Sequence, residues 1–287
     1  MSQAEIVDRA AVSAADLQTY ERDGVVLLKG LIGKDWLDKI AAGIAKDKEN
    51  PSPWCHGYAV EGGSFFGDMR LWQHLPEFRD YCFNSPLPAL AAQFLGEDEI
   101  LLYYDQLFVK DAGANAPTRW HNDQPYWSVR GWPVISFWLT LDPVDAGNGR
   151  LEFVRGSHRW GKWYQPEAFA PGKTAKAYAR HPDYETVPDI ENNRDAYDLV
   201  AFDMEPGDVL AFHSLTLHGA TPRNERGRRG YTVRYIGANN TWYRGDEPAV
   251  TPGLINEELK PNDRLHSTMH PLVSDTRNGK TKAYETA

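Results

Sequence analysis

Beyond residue 98 the sequence breaks into short runs rich in aliphatic, β-branched and aromatic residues, separated by turn formers: "EILLYYDQLFVKD", "PVISFWLTLDPV", "RLEFVRGS", "DLVAFDME", "DVLAFHSLTLHG" and "GYTVRYIGA". Such runs read as strands, and a succession of them buries its apolar faces only in a sandwich or barrel. Ala146-Gly147-Asn148-Gly149 lies between two runs and predicts a hairpin, because Asn-Gly suits a type I′ turn. Glu205-Pro206-Gly207-Asp208 predicts a second turn. Ahead of the runs the pattern is mostly helical. Ser13 and Asp16 read as a helix N-cap, Gly24 as that helix's end, and "VVLLKG" as a buried strand. Trp36, Ile40 and Ile44 mark one face of a second helix, and a further helical region spans about 71–95. The expected class is α+β, mainly β, in a single domain. Its helical part covers about 1–97, its β core about 98–245, and a tail follows.

A chain of 287 residues is within the range of one large β-sandwich. Its net charge of −9 argues against nucleic-acid and anionic-membrane partners. Cys55 and Cys82 are far apart and form no Cys-x-x-Cys pair, so neither a disulfide framework nor a zinc–thiolate site is expected. No basic-then-apolar leader opens the sequence, and no apolar run reaches the roughly 18 residues of a membrane span. These features give a cytoplasmic location as the expectation. Residues 161–195 are polar, proline-containing and aperiodic, and a loop of that length inside a compact domain is commonly functional.

The chemistry centres on "RWHNDQPYW", residues 119–127. If the segment is a strand, His121 and Asp123 share a face and direct an imidazole and a carboxylate to one point. A His-x-Asp pair alone is a weak motif. His218 strengthens it, because it closes the apolar run "DVLAFHSLTLH" where a core residue is expected, and Gly219 follows it. Two histidines and one carboxylate form the facial set of non-haem Fe(II) oxygenases, which leaves positions open for co-substrate and oxygen. His213 competes for the third place, but it lies inside the run and reads as a core histidine. His158 reads as a turn residue.

Arginines follow at once: Arg223, Arg226, Arg228, Arg229 and Arg234. A dicarboxylate that chelates a metal through its keto-acid end needs a cation at its far end, and the guanidinium fork suits a carboxylate. Arg228 is preferred, since Gly230 two places on leaves room on its strand face, whereas Arg229 is followed by bulky Tyr231. Arg229 stays open.

In "YERDGVVLLKGLI", "TRWHNDQPYW", "ISFWLTLDPVDAGNGRLEFVRGSHRWG", "EPGDVLAFHSLTLHGATPRN" and "RRGYTVRYI", in this order, the chain resembles the phytanoyl-CoA dioxygenase family, which includes ectoine hydroxylases. The resemblance implies a double-stranded β-helix, the jelly-roll or cupin-like fold, with flanking N-terminal helices. It implies Fe(II), 2-oxoglutarate and O2 as cofactor and co-substrates. Residue by residue, it implies His121, Asp123 and His218 as metal ligands and Arg228 or Arg229 for 2-oxoglutarate. The interval between His218 and Arg228 is one residue shorter than is common in the family. Trp138 is expected in the co-substrate pocket. Trp127 and Tyr126 are expected in the substrate pocket near the iron, and Tyr104, Gln106, Phe108 and Lys110 on a strand face looking inward. Gln106 and Lys110 would touch co-substrate, and Tyr104 and Phe108 substrate.

Asp123 stands where halogenating relatives carry a small residue, so the resemblance implies oxidation, most simply hydroxylation, of a small organic metabolite. Two other readings use the same ligands: a zinc hydrolase or lyase, and a non-catalytic barrel that binds a 2-oxo acid or a metal. The loop at 161–195, with Trp163, Tyr164 and Tyr178, is the candidate lid. Its acids Asp183, Glu185, Asp189, Glu191 and Asp195 suggest a cationic or polar substrate.

Overall fold

The computed structural model describes residues 11–58, 62–114, 117–167, 178, 180–220, 224–243 and 251–277. Arg223 and most of the candidate lid's middle, 168–177 and 179, lie outside the described residues. Helix α1 (Ala14–Asp23) starts at Ser13, whose hydroxyl accepts the Asp16 N–H at 3.1 Å, and stops at Gly24, whose φ of 77° is left-handed. Strand β1 (Val25–Leu28), helix α2 (Lys34–Glu49) and strands β2 (His56–Tyr58) and β3 (Phe65–Met69) follow. The predicted helical region at 71–95 forms three short helices: α3 (Leu71–His74), α4 (Pro76–Asn84) and α5 (Leu87–Leu95). The remaining strands are β4 (Glu99–Lys110), β5 (Thr118–His121), β6 (Val129–Arg130), β7 (Val134–Thr140), β8 (Leu151–Val154), β9 (Leu199–Ala201), β10 (Val209–His213), β11 (His218–Ala220), β12 (Arg228–Gly237), β13 (Thr241–Trp242) and β14 (Leu272–Asp275).

All strand pairs between these elements are antiparallel. The major sheet runs β1-β10-β7-β12-β4-β3-β2, with β14 also on β4; the minor sheet runs β5-β11-β8-β9. The chain alternates between them, which is the double-stranded β-helix. Strands β1 to β3 and β14 join the same major sheet, so the parts before and after the core runs are built into it.

Pleating assigns the two faces of the major sheet. Tyr231, Val233 and Tyr235 of β12, with Leu107 and Phe137, pack under Ile40, Phe78, Leu87 and Leu90 of the helices. Each such buried side chain contributes roughly 1.5–3 kcal/mol. The opposite face carries a row set by the strand register, Met69, Gln106, Thr232, Trp138 and Leu210, and looks toward the minor sheet. Trp138, Leu210 and Phe212 pack there with Leu151 and Phe153 of β8.

Two local expectations change. The segment Ala146–Gly149 joins β7 of one sheet to β8 of the other, so it closes no hairpin. Asn148 keeps a negative φ and is buried, its amide donating to the Pro143 carbonyl at 2.7 Å and its oxygen accepting the Asp145 N–H at 2.8 Å. A type I′ turn needs positive φ at both central residues. The run "DVLAFHSLTLHG" is also not one strand: it leaves the major sheet after His213 and re-enters pairing in the minor sheet at His218. At Glu205–Asp208 the turn forms as expected, with the Asp208 N–H donating to Glu205 at 3.0 Å and Gly207 at φ 95°.

Among the described residues, no helix is long and apolar enough to cross a membrane.

Candidate metal centre and its cavity

His121 is the last residue of β5 and His218 the first of β11, and the two are directly paired across the strands, with ring centroids 4.2 Å apart. Cross-strand pairing therefore makes the two imidazoles neighbours. Asp123 reaches them differently from the pleat argument. The strand has ended, and Asp123 has α-region angles (φ −72°, ψ −44°) at the start of a 3-10 turn, Gln124–Tyr126. Its N–H and that of Gln124 donate to the Ser214 carbonyl at 2.8 and 3.2 Å, so the β10–β11 connection aims the carboxylate.

Each histidine is oriented from behind. His121 Nδ1 donates to the Arg119 carbonyl at 2.7 Å and His218 Nδ1 to the Thr216 carbonyl at 3.0 Å. That arrangement turns both Nε2 atoms to Asp123 Oδ1, at 3.4 and 3.8 Å. The three donor atoms lie within 4.8 Å of one another, and all three residues are buried. Burial opposes ionisation of Asp123, but Arg234 and the two histidines outweigh it and hold the carboxyl well below its usual range. Burial, followed by His121, lowers His218 to about 4. At neutral pH the centre thus presents a carboxylate and a neutral His218 imidazole, the protonation state a metal requires. This donor set fits a ferrous ion with open positions.

His213 faces elsewhere. Its Nε2 donates to the Trp132 carbonyl at 2.9 Å, its Nδ1 accepts the Leu215 N–H at 3.1 Å, and the indole of Trp132 lies 4.3 Å from its ring. His158 is buried nearby against helix α1, with its Nε2 3.2 Å from the Glu21 carbonyl.

A cavity of about 420 Å³ opens beside the three donors. Among the residues named from sequence, Tyr104, Gln106, Phe108, Tyr126, Trp127, Trp138, Tyr178 and Arg228 line it. Arg228 is buried, its Nη1 has no hydrogen-bond partner, and its guanidinium carbon sits 5.2 Å from the Trp138 ring. Burial lowers it to about 10, so it stays charged at neutral pH.

Arg229 points the other way. Its Nε and Nη2 donate to both Asp142 carboxylate oxygens at 2.9 and 2.6 Å, and it does not line the cavity. The stated reason for preferring Arg228 does not hold, however: the space over Gly230 is filled by Trp138, which a Cβ there would approach to 2.7 Å. Lys110 pairs with Arg228 across β4 and β12, with its ammonium 4.7 Å from the Phe65 ring. It does not line the cavity, and burial together with Arg228 lowers it to about 7.

In the segment 161–195, Trp163 stacks on Arg130 at 3.8 Å, and Tyr164 is buried with Val154, Ile190 and Leu217; neither lines the cavity. Tyr126 ties down Glu167 of this segment, its hydroxyl donating to the Glu167 carbonyl at 2.8 Å and accepting the Glu167 N–H at 3.0 Å.

Sequence reasoning assigned no role to Arg234, which lines the cavity with its Nε 3.5 Å from Asp123 Oδ2. The alternation Arg228, Gly230, Thr232, Arg234 along β12 carries the signal, since all four share the inward face. Pro53 to His56, Thr251 and Gly253 also line the cavity and carry no signature in the sequence.

A family model described as phytanoyl-CoA dioxygenase (PhyH) matches residues 20–230. The dioxygenase LolE1 of Epichloe uncinata is 26% identical over 76% of this chain and 80% of its own length. Ectoine dioxygenase of Sphingopyxis alaskensis is 23% identical over 75% of this chain and 72% of its own. The fold is shared with the epimerase SnoN, solved with Fe3+, α-ketoglutarate and nogalamycin RO, at a TM-score of 0.68 and 18% identity, covering 95% of this chain and 100% of that one. The family match spans well over half of the sequence and contains both histidines, the aspartate and Arg228: the chain belongs to the phytanoyl-CoA dioxygenase family of Fe(II)- and 2-oxoglutarate-dependent dioxygenases.

Proposed function

We propose that this dioxygenase hydroxylates a small organic molecule, with Fe(II) held by His121, Asp123 and His218 and the distal carboxylate of 2-oxoglutarate received by Arg228. The observation that carries this reading is one cavity holding a buried three-donor cluster and, on another wall, a buried guanidinium whose Nη1 lacks a partner. An unpaired buried donor of this kind is costly, and a ligand carboxylate relieves that cost. When bound, the iron and 2-oxoglutarate supply an oxidant derived from O2, with succinate and CO2 as co-products.

The chain's own residues bind, orient and exclude water. Arg228 fixes the far end of the co-substrate, with Trp138 packed against its guanidinium and Gln106 and Thr232 facing the same space. Trp127 donates from Nε1 to the Tyr104 hydroxyl at 2.9 Å, which closes the wall beside Asp123. A dry, pre-shaped site protects a reactive oxidant from side reactions. Because Asp123 keeps the carboxylate at the metal, hydroxylation is favoured over halogenation. Product mass separates hydroxylation, which adds one oxygen, from an epimerisation such as SnoN's name describes, which leaves mass unchanged.

The test is succinate release and O2 uptake across a metabolite panel, with Fe(II) and with Zn(II). Fe-dependent release stimulated by one substrate is expected, and Asp123→Ala is expected to lower both Fe(II) affinity and turnover at least 100-fold. Conversion of a substrate with Zn(II), without succinate release or oxygen consumption, would instead establish a hydrolase.

A further inference from the structure

The proposed reaction leaves one feature of the cavity unexplained. Arg234 is only 5% exposed, yet its Nη1 has no hydrogen-bond partner, and its Nε faces Asp123 Oδ2 at 3.5 Å without forming a hydrogen bond. Its guanidinium is clamped between aromatic rings, 4.5 Å from Tyr104 and 5.3 Å from Trp127. Arg228 packs on Trp138 instead, so the two guanidiniums, on one face of β12, meet different parts of one space. Asp123 balances the charge of Arg234 from one side only, and a buried guanidinium nitrogen without an acceptor is costly, a cost that an anionic ligand group offsets.

The charges agree. Arg228 and Arg234 bring two positive charges and a ferrous ion two more. Asp123 brings one negative charge and 2-oxoglutarate two. The loaded cavity therefore keeps one positive charge, and Asp123 is the one acidic side chain among its described lining residues. The lid acids do not counter it. Glu185 pairs with Lys162, Asp189 accepts from Asn192, Glu191 pairs with Arg194, Asp183 and Asp195 face solvent, and none lines the cavity. The rest of the lining is largely aromatic or apolar: Trp54, Phe65, Met69, Tyr126, Trp127 and Tyr178.

We propose that Arg234 is the anchor for a carboxylate on the substrate, so that the enzyme oxidises an acid with an apolar or aromatic body rather than a cation. The inference rests on the oxygenase reading for where 2-oxoglutarate lies. Arg234 acts as a specificity residue: it fixes one end of the substrate next to Asp123, and the apolar walls receive the remainder.

The test is calorimetric titration of the full chain loaded with Mn(II) and 2-oxoglutarate under anaerobic conditions, where nothing turns over. The probes are phenylacetate, indole-3-acetate and 1-naphthylacetate, their primary amides, and phenethylamine. At least one acid is expected to bind 10-fold or more tightly than its amide, with the amine weakest. Arg234→Gln is expected to erase that gap while leaving the 2-oxoglutarate Kd within threefold, and Arg234→Lys to keep part of the gap. The proposal is overturned if no acid outbinds its amide in the wild type, or if the gap survives Arg234→Gln. A tenfold loss of 2-oxoglutarate affinity in Arg234→Gln with the gap intact also overturns it, by assigning the residue to the co-substrate. If Arg234→Gln fails to fold or to hold Mn(II), the wild-type acid–amide comparison and Arg234→Lys decide. Failure of 2-oxoglutarate to bind the Mn(II) protein counts against the oxygenase reading, and the acid–amide gap is then read on the Mn(II) form alone.

Discussion

Arg228 and Arg229 are adjacent in sequence and opposite in environment, and the pleat of β12 is the whole reason. One turns into the cavity without an acceptor for its Nη1; the other makes a two-pronged bond to Asp142 at a half-exposed position. A charge-assisted bond of this kind contributes roughly 1.5–3 kcal/mol. Arg228→Gln is therefore expected to weaken 2-oxoglutarate binding about 10- to 100-fold in anaerobic titration, and Arg229→Gln to leave it within about threefold. Equal effects from the two would refute the assignment. The metal ligands were legible as residue types at a spacing, but the reasons for their convergence were not. Asp123 is aimed by the carbonyl of Ser214, a contact across 91 positions that no local pattern encodes. Arg234 went unassigned because its significance comes from Asp123, on a segment far away in sequence.

Among the elements, β12 binds the two halves of the argument. Its outward side chains, Tyr231, Val233 and Tyr235, hold the helices, and its inward ones face the cavity. Gly230 is the point where a side chain cannot be added, since Trp138 occupies the space above it. Gly230→Ala is expected to destabilise the protein by about 1–3 kcal/mol and to weaken 2-oxoglutarate binding by displacing Trp138. Denaturant unfolding and the same titration measure both, and unchanged stability with unchanged affinity would contradict the packing. Strands β4, β7, β8, β9, β10 and β12 were readable from their β-rich runs. Strands β2 and β3 were not, because "HGY" and "FFGDM" are short and carry glycine, and β3 depends on pairing with β4 and β2 on pairing with β3 for their order. The Asn-Gly signal misled because Asn148 serves as a buried hydrogen-bonding hub between sheets rather than as a turn residue.

For the whole molecule, burial of titratable groups sets a pH profile. Burial lowers His213 to about 3 and His270 to about 4, so their contribution is present above the ordinary histidine range and lost as pH falls from about 6.5. Burial raises Asp105 to about 7 and, together with Asp68, raises Asp47 as well. Their contribution is present at low pH and lost as pH rises through those values. The two sets oppose each other between about pH 4 and 6.5, and above about 7 Lys110, lowered to about 7 by burial and Arg228, opposes the acids because the unfolded chain still holds that proton. The stability difference between the metal-free wild type and Asp105→Asn is thus expected to shift against the wild type by up to about 1.4 kcal/mol per pH unit from about pH 4 to 7 and to level off above that. Chemical unfolding of both proteins from about pH 4.5 to 8.5 tests it; a difference that does not change with pH would contradict the burial of Asp105. At this scale the fold class was visible in the succession of runs, whereas the sheet order, with β1 and β14 built into the major sheet, follows from pairings between distant segments. Those pairings divide the centre between layers: both histidines stand on the minor sheet, and Arg228 stands on the major one. A co-substrate gripped at both ends would then work as a caliper across the sandwich, and a core substitution that thins or thickens the gap would detune the jaws without touching either.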